Sequence, residues 1–191
     1  METIRCFGTG DPLYEAYHDL EWGRPVEDSP TESALFERIT LEGAQAGLSW
    51  ITVLRKREGY REAFHGFDPE IVAAMTPADV DLLLSNPGIV RNRMKIESTI
   101  GNAAALLALH EVGERLADLL ATHAPEPRSH APLTFADVPA QTKGSAALSN
   151  ELKKRGFRFV GPTTLYAAMQ AIGLVDDHIH GCFLARKTDP A

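Results

Sequence analysis

The chain is poor in cysteine, with only Cys6 and Cys182 among 191 residues. That is too few to staple a disulfide scaffold, and a chain of this length can bury a core without one. A leader pattern is missing as well: no apolar segment follows the start Met1-Glu2-Thr3-Ile4-Arg5-Cys6. No uninterrupted apolar stretch approaches the roughly 18 residues that suggest a membrane span. The expected location is a reducing cytoplasm, with no membrane as partner. There is also no basic surplus, since 19 Lys and Arg stand against 26 Asp and Glu, a formal net charge of −7. Nucleic-acid binders usually carry the opposite sign, but only the contacting face has to be basic. Two clusters can supply such a face: Arg91, Arg93 and Lys95, then Lys153, Lys154, Arg155 and Arg158. Each is equally readable as a solvated helix face, so charge leaves the partner open.

Alternating β-branched runs are nearly absent. Phe157-Arg158-Phe159-Val160 is the one candidate strand, and it is too short to found a sheet. Helix starts are plentiful instead. Ser29-Pro30-Thr31-Glu32 offers a cap, a proline in the first turn and a glutamate three residues on, ahead of Leu35, Phe36 and Ile39. Asp68-Pro69 and Thr76-Pro77 repeat the cap-then-proline signature. From Arg93 to Leu109, the apolar positions Met94, Ile96, Ile100, Ala103, Ala104 and Leu107 follow a helical stripe. Further helices are expected over 146–154 and 163–172, and the proline-richer stretch 124–140 reads as a surface connection. The expected fold class is all-α, with residues 1–191 forming a single domain.

Chemistry concentrates in a few places. His178 and Cys182 stand four apart near the C-terminus, and Cys6 and His18 lie near the N-terminus. Two thiolates and two imidazoles make the closed tetrahedral set of structural zinc sites, and two thiolates neutralise the ion's charge. The residues alone also allow two buried free thiols with unrelated histidines, a Cys6–Cys182 disulfide, or His180 as a ligand. Tyr14, Tyr17, Trp22 and Trp50 flank Glu42 in sequence. An aromatic cavity with one carboxylate can sandwich a flat base and accept hydrogen bonds from its amino group, although these residues can also be ordinary core. The run Gly43-Ala44-Gln45-Ala46-Gly47-Leu48 lacks the lysine and hydroxyl residue of a phosphate loop. Finally, Arg155-Gly156-Phe157-Arg158-Phe159-Val160-Gly161-Pro162 falls between two expected helices. A glycine-bearing hairpin opening a helix can offer backbone N–H groups to a phosphate, and glycine also simply ends helices. Asp176 follows it, readable as a cap or turn residue or as a carboxylate near bound DNA.

Taken together, the chain resembles the 3-methyladenine glycosylase I family, within the helix-hairpin-helix superfamily of DNA glycosylases. The resemblance is densest at Asp11-Pro12-Leu13-Tyr14, Tyr17-His18-Asp19, Glu21-Trp22-Gly23 and Leu41-Glu42-Gly43. It continues through Gln45-Ala46-Gly47-Leu48-Ser49-Trp50, Leu152-Lys153-Lys154-Arg155-Gly156-Phe157, Phe159-Val160-Gly161, Asp177-His178 and Gly181-Cys182. It implies a two-lobed helical bundle, with one structural zinc held by Cys6, His18, His178 and Cys182. It further implies a base pocket with Glu42 as recognising carboxylate, walls from Tyr17 and Trp50, and Tyr14 and Trp22 at the same site. Leu48 is implied as a plug for the gap left by the flipped nucleotide. The hairpin from Gly156 to Gly161, with Lys153 and Arg158, is implied as a DNA-phosphate clamp. The implied activity is monofunctional excision of 3-methyladenine from damaged double-stranded DNA by a monomer, with water attacking the sugar carbon. Two departures stand out. The run Cys6-Phe7-Gly8-Thr9 lacks the family's usual tryptophan and is one residue shorter. Asp176 replaces a frequent asparagine, at about the point where many helix-hairpin-helix glycosylases carry a catalytic aspartate, which assigns it a possible catalytic part. From a different class, a zinc-stabilised helical module that recognises damage without cutting shares most of these features. A zinc hydrolase does not, because four protein ligands close the metal.

Overall fold

The computed structural model describes residues 3–24 and 30–185, and every regular element in them is helical. In chain order these are α1 Pro12–Leu20, α2 Glu32–Ala44, α3 Trp50–Leu54, α4 Arg57–Ala63 and α5 Pro69–Ala73. Then come α6 Pro77–Ser85, α7 Arg93–Glu111, α8 Leu116–Thr122, α9 Lys143–Lys154 and α10 Pro162–Ala171. Short 3-10 turns occupy His65–Phe67 and Phe135–Asp137. The expected all-α class holds for the described residues, and among them no helix is long and apolar enough to cross a membrane.

Proline at the first helical position recurs because its missing N–H would be unpaired there anyway. α1 starts this way behind Asp11, whose carboxylate accepts from the N–H groups of Leu13 and Tyr14. α5 does so behind Asp68, which accepts from Glu70 and Ile71. At α6, Thr76 and Asp79 close a capping box. α2 departs from expectation: Thr31 is its cap, accepting from the Ala34 N–H at 3.1 Å, and Pro30 lies ahead of the helix. Ser29, the expected cap, is outside the described residues. Glu32 is drawn elsewhere, its carboxylate accepting from Leu116 N at 3.0 Å and Ala117 N at 3.3 Å to close the start of α8. α9 begins three residues earlier than expected, because Thr142 and Ser145 cap each other's backbone N–H.

α10 packs between α2 and α9, while α7 lies across α5, α6 and α2. The face that α7 buries differs from the apolar stripe read from sequence. Met94 is 57% exposed and Ala104 is exposed, whereas Ser98, Thr99 and Asn102 turn inward beside Ile96, Ala103 and Leu106. These polar residues face inward because backbone groups rather than water partner them: Asn102 bonds to Arg158 on a neighbouring segment, and the Ser98 and Thr99 hydroxyls donate to Lys95 O on α7 itself. Phe36, Phe64 and Phe67 stack edge-to-face and face-to-face beneath α2. The connection 124–140 carries only the 3-10 turn, yet it is tied down where Pro132 O accepts from the His180 N–H at 2.7 Å.

α4 crosses the segment before α7 with backbones almost touching. A β-carbon at Gly59 would lie 2.4 Å from the Gly88 carbonyl oxygen, and backbone on both sides leaves little room to yield. Gly59→Ala is therefore expected to destabilise the fold by about 1–3 kcal/mol, the usual scale of overpacking. Urea unfolding checks this, and an unchanged midpoint would mean that the crossing relaxes freely.

Candidate active site

A cavity of about 390 Å³ opens between the N-terminal helices and α10, within the ~300–1,000 Å³ usual for small-molecule sites. Phe7, Tyr14, Tyr17 and Trp22 wall one side; Glu42 and Gln45 come from the end of α2, and Trp50 from the start of α3. Tyr166 and Gln170 face in from α10, one turn apart, and Phe135 and Val138 from the connection cover the remainder. The sequence-derived pocket residues Tyr14, Tyr17, Trp22, Glu42 and Trp50 are thus all brought together.

Glu42 is 6% exposed and accepts no hydrogen bond from the described residues. Burial pushes its carboxyl up to about 7, against a smaller downward pull from Arg38, one turn earlier on α2. The Tyr17 ring has the Arg38 guanidinium 5.7 Å from its centroid and the Trp50 ring, tilted, at 5.3 Å. Burial and the nearby Glu42 both hold the Tyr14 and Tyr17 hydroxyls protonated, as donors. The Trp50 indole N–H is buried without a hydrogen-bond partner among the described residues. A ligand here meets aromatic faces, a lone carboxylate and donors, which suits a flat, cationic, amino-bearing ring.

Sequence reasoning missed several wall residues. Phe7 lies 4.9 Å from Tyr14 and 5.0 Å from Trp22, ring centre to ring centre, so the altered run after Cys6 still delivers an aromatic wall. Its position beside Cys6 was the available signal. Tyr166 and Gln170 were signalled only by their one-turn spacing. Both are held by Asp177, fully buried, which accepts from Tyr166 Oη at 2.5 Å and Gln170 Nε2 at 2.8 Å and pairs with Arg128 Nε at 2.7 Å.

Next to the cavity, the ligand atoms of Cys6, His18 and Cys182 lie within 4.8 Å of one another. Both cysteines are free, which removes the disulfide reading. His18 Nδ1 lies 2.8 Å from Asp19 Oδ1, turning Nε2 toward the cysteines, with Cys182 Sγ 3.4 Å away. His178 borders the cluster, its ring 5.2 Å from that of His18 and edge-on. Its Nδ1 lies 2.9 Å from Asp176 Oδ1, and its Nε2 is buried without a hydrogen-bond partner. Gly23 makes room for it, since a β-carbon there would sit 2.6 Å from His178 Cε1 and the backbone has φ +72°. His180 is exposed and lies outside the cluster. This donor set fits zinc: two thiols, two imidazoles with Nδ1 against a carboxylate, and an orphaned Nε2. Burial pushes the Cys6 thiol up to about 12, so a thiolate there calls for a cation.

The residues read as facing DNA lie apart from the cavity lining. Leu48 is 40% exposed in the turn after α2. Lys153 and Arg158 are exposed near the segment 155–161, where Gly156 has φ +94° and Gly161 precedes α10. The basic clusters are partly neutralised, Arg155 by Glu114 and Glu151, and Arg93 by Asp81 and Glu97.

A family model described as methyladenine glycosylase matches residues 7–185. The DNA-3-methyladenine glycosylase of Haemophilus influenzae is 50% identical over 94% of this chain and 97% of its own length. A crystal structure of 3-methyladenine DNA glycosylase I superposes with a TM-score of 0.90 at 51% identity, covering 96% of this chain and all of that one. A variant of 3-methyladenine DNA glycosylase I solved in complex with 3-methyladenine gives 0.86 at 37% identity, covering 96% of this chain and 98% of that one. With this match laid over an aromatic cavity built around one buried carboxylate, the chain belongs to the methyladenine glycosylase family.

Proposed function

We propose that this protein is a monofunctional DNA glycosylase, which flips 3-methyladenine out of alkylated double-stranded DNA and hydrolyses its N-glycosidic bond, initiating base excision repair. The observation that carries the reading is the buried Glu42 carboxylate, free of hydrogen bonds from the described residues, in a cavity walled by aromatic rings. Action as a monomer and a cytoplasmic location go with this reading.

N3-methylation makes adenine cationic, so the base is a good leaving group and little general-acid help is needed. The protein's part is to extract the base, identify it and tolerate positive charge at the sugar. Tyr17, Trp50, Tyr14 and Trp22 stack on the extrahelical base, attracting a cation more than neutral adenine. Glu42 accepts from the base and adds a charge attraction that unmethylated adenine does not enjoy. The C1′–N9 bond breaks with its electrons leaving on the base, and water adds to the sugar and gives up a proton. On this reading Leu48 fills the gap in the duplex, and the α9–turn–α10 unit is a helix-hairpin-helix whose Gly156–Gly161 segment, with Lys153 and Arg158, grips phosphates.

Cys6, His18, His178 and Cys182 would hold one zinc ion, which supplies a structural tie and no reactive group. Asp19 and Asp176 orient the two imidazoles. That gives Asp176 a positioning part in place of the catalytic part the resemblance allowed.

The direct test is release of free base from duplex DNA carrying 3-methyladenine. Glu42→Gln is expected to lower kcat/KM at least about 100-fold, the scale of a lost charged hydrogen bond in a low-dielectric site. Damage-specific binding by the wild type without base release would favour the non-cutting module. The wild-type kcat/KM should fall as pH drops below about 7 while Glu42 takes up its proton.

The same group sets an opposite trend in stability. Its folded value of about 7 exceeds the ordinary 4.5, so between these the folded state binds more protons and stability falls as pH rises. Glu42→Gln should then be more stable than wild type at pH 8, by on the order of 3 kcal/mol, with the gain vanishing below pH ~4.5. Equal denaturation midpoints at pH 8 would contradict this.

For the metal, elemental analysis should find one zinc per chain, lost in Cys182→Ser. Asp176→Asn should weaken zinc affinity about 10–100-fold in a chelator competition. A loss of excision by that variant at full zinc loading would return Asp176 to a catalytic part.

A further inference from the structure

α7 meets both loops read as facing DNA, and it does so along one stripe. Lys95 Nζ donates to Ala44 O and Ala46 O, each at 2.8 Å, at the end of α2 where the turn bearing Leu48 begins. Two helical turns later, buried Asn102 accepts from Arg158 N at 2.7 Å and donates to Arg158 O at 2.9 Å. Residues seven apart lie on the same helix face, about 10 Å apart along the axis. Between them Ser98 and Thr99 hydroxyls donate back to Lys95 O, so the polar stripe carries no unmet donor at those positions.

The last turn of α2 also touches the hairpin. A β-carbon at Gly43 would come within 3.1 Å of Phe159 Cβ and O, and Phe159 itself holds φ +56°. Ser149 Oγ fixes the far side of the hairpin by donating to Val160 O at 2.7 Å. Lys95 was one of the cations read from sequence as a basic face. Its ammonium group instead serves carbonyls that end a helix and would otherwise lack partners.

We infer that Lys95 and Asn102 form a two-point brace on α7 that sets the spacing between the Leu48 turn and the 155–161 hairpin. They are positioning residues for engaging the duplex and take no part in recognising the base. The inference rests on the reading of these two loops as DNA-contacting. A duplex is stiff, so a wedge and a phosphate clamp act together only when held at a matching separation.

The test uses the full, zinc-loaded chain with Lys95→Met and Asn102→Leu. It measures kcat and KM for base release across a salt series, and binding of free 3-methyladenine by tryptophan fluorescence. Each variant should raise the DNA KM about 10-fold or more, with free-base affinity within about twofold of wild type. The dependence of log KM on log salt should keep its slope in Lys95→Met, because no phosphate contact is removed, and Lys95→Arg should recover most of the affinity. A KM within about twofold of wild type in every variant that folds overturns the brace, as does a salt slope reduced by about one in Lys95→Met, the signature of a phosphate contact. Leu48→Ala and Arg158→Gln run alongside. If they raise KM and the brace variants do not, only the brace fails; if they too leave it unchanged, the DNA reading of the loops fails. Lys95 is half-buried and methionine keeps its stem, so Lys95→Met decides the matter even where Asn102→Leu does not fold.

Discussion

Placing a carboxylate in an aromatic cavity with no hydrogen bond from the described residues costs several kcal/mol, and the arrangement around Glu42 follows from keeping it there. Glu42 sits in the last turn of α2, a helix packed against α7, α8 and α10, so the side chain cannot swing out to water without dragging a core element. Arg38, one turn back, lowers part of the cost by its charge and is itself kept in place by Glu21, which Arg57 also grips at 2.5 Å. The tyrosines stay neutral because the same burial that strains Glu42 also penalises a phenolate. A site of this kind favours positive charge, and its selectivity lies in that preference.

Much of this was legible because local rules and long-range structure agree at the helix starts. Asp11, Asp68 and Thr76 cap where their neighbouring prolines say they should. The pocket residues Tyr14, Tyr17, Glu42 and Trp50 were legible through a shared family pattern, whereas spacing left them as plausible core. What stayed hidden depends on tertiary partners. Thr31 displaced the expected cap at α2, and Glu32 left its own helix to close α8. The buried face of α7 was misjudged because Asn102 answers to the backbone of Arg158, fifty-six residues away. Asp177 passed as one letter of a motif, although it sets the orientation of two pocket side chains.

The acidic balance of the chain also finds its place. Several carboxylates are committed to guanidinium groups: Glu37 to Arg61, Asp19 to Arg5, and Glu114 with Glu151 to Arg155. Lys153 and Arg158 are exposed and enter no ion pair among the described residues. A net charge of −7 therefore coexists with a local basic edge, and the sum over the sequence says little about the face that matters.

The cluster of Cys6, His18 and Cys182 has a consequence for the order in which the molecule is completed. Residues near the two ends meet there: Phe183 N–H reaches Ile4 O at 3.0 Å, and Ile179 N–H lies 3.4 Å from Cys6 Sγ. Phe7, a wall of the cavity, directly follows Cys6 in the chain. During synthesis the helices from α1 to α10 can assemble while Cys182 has yet to leave the ribosome, but this closure cannot form before it does. These end-to-end contacts span almost the whole sequence, so their loop entropy is met last. The cavity thus acquires its final wall only after Cys182 has been made, and a nascent chain stalled short of that point carries the carboxylate without the enclosure that gives it meaning.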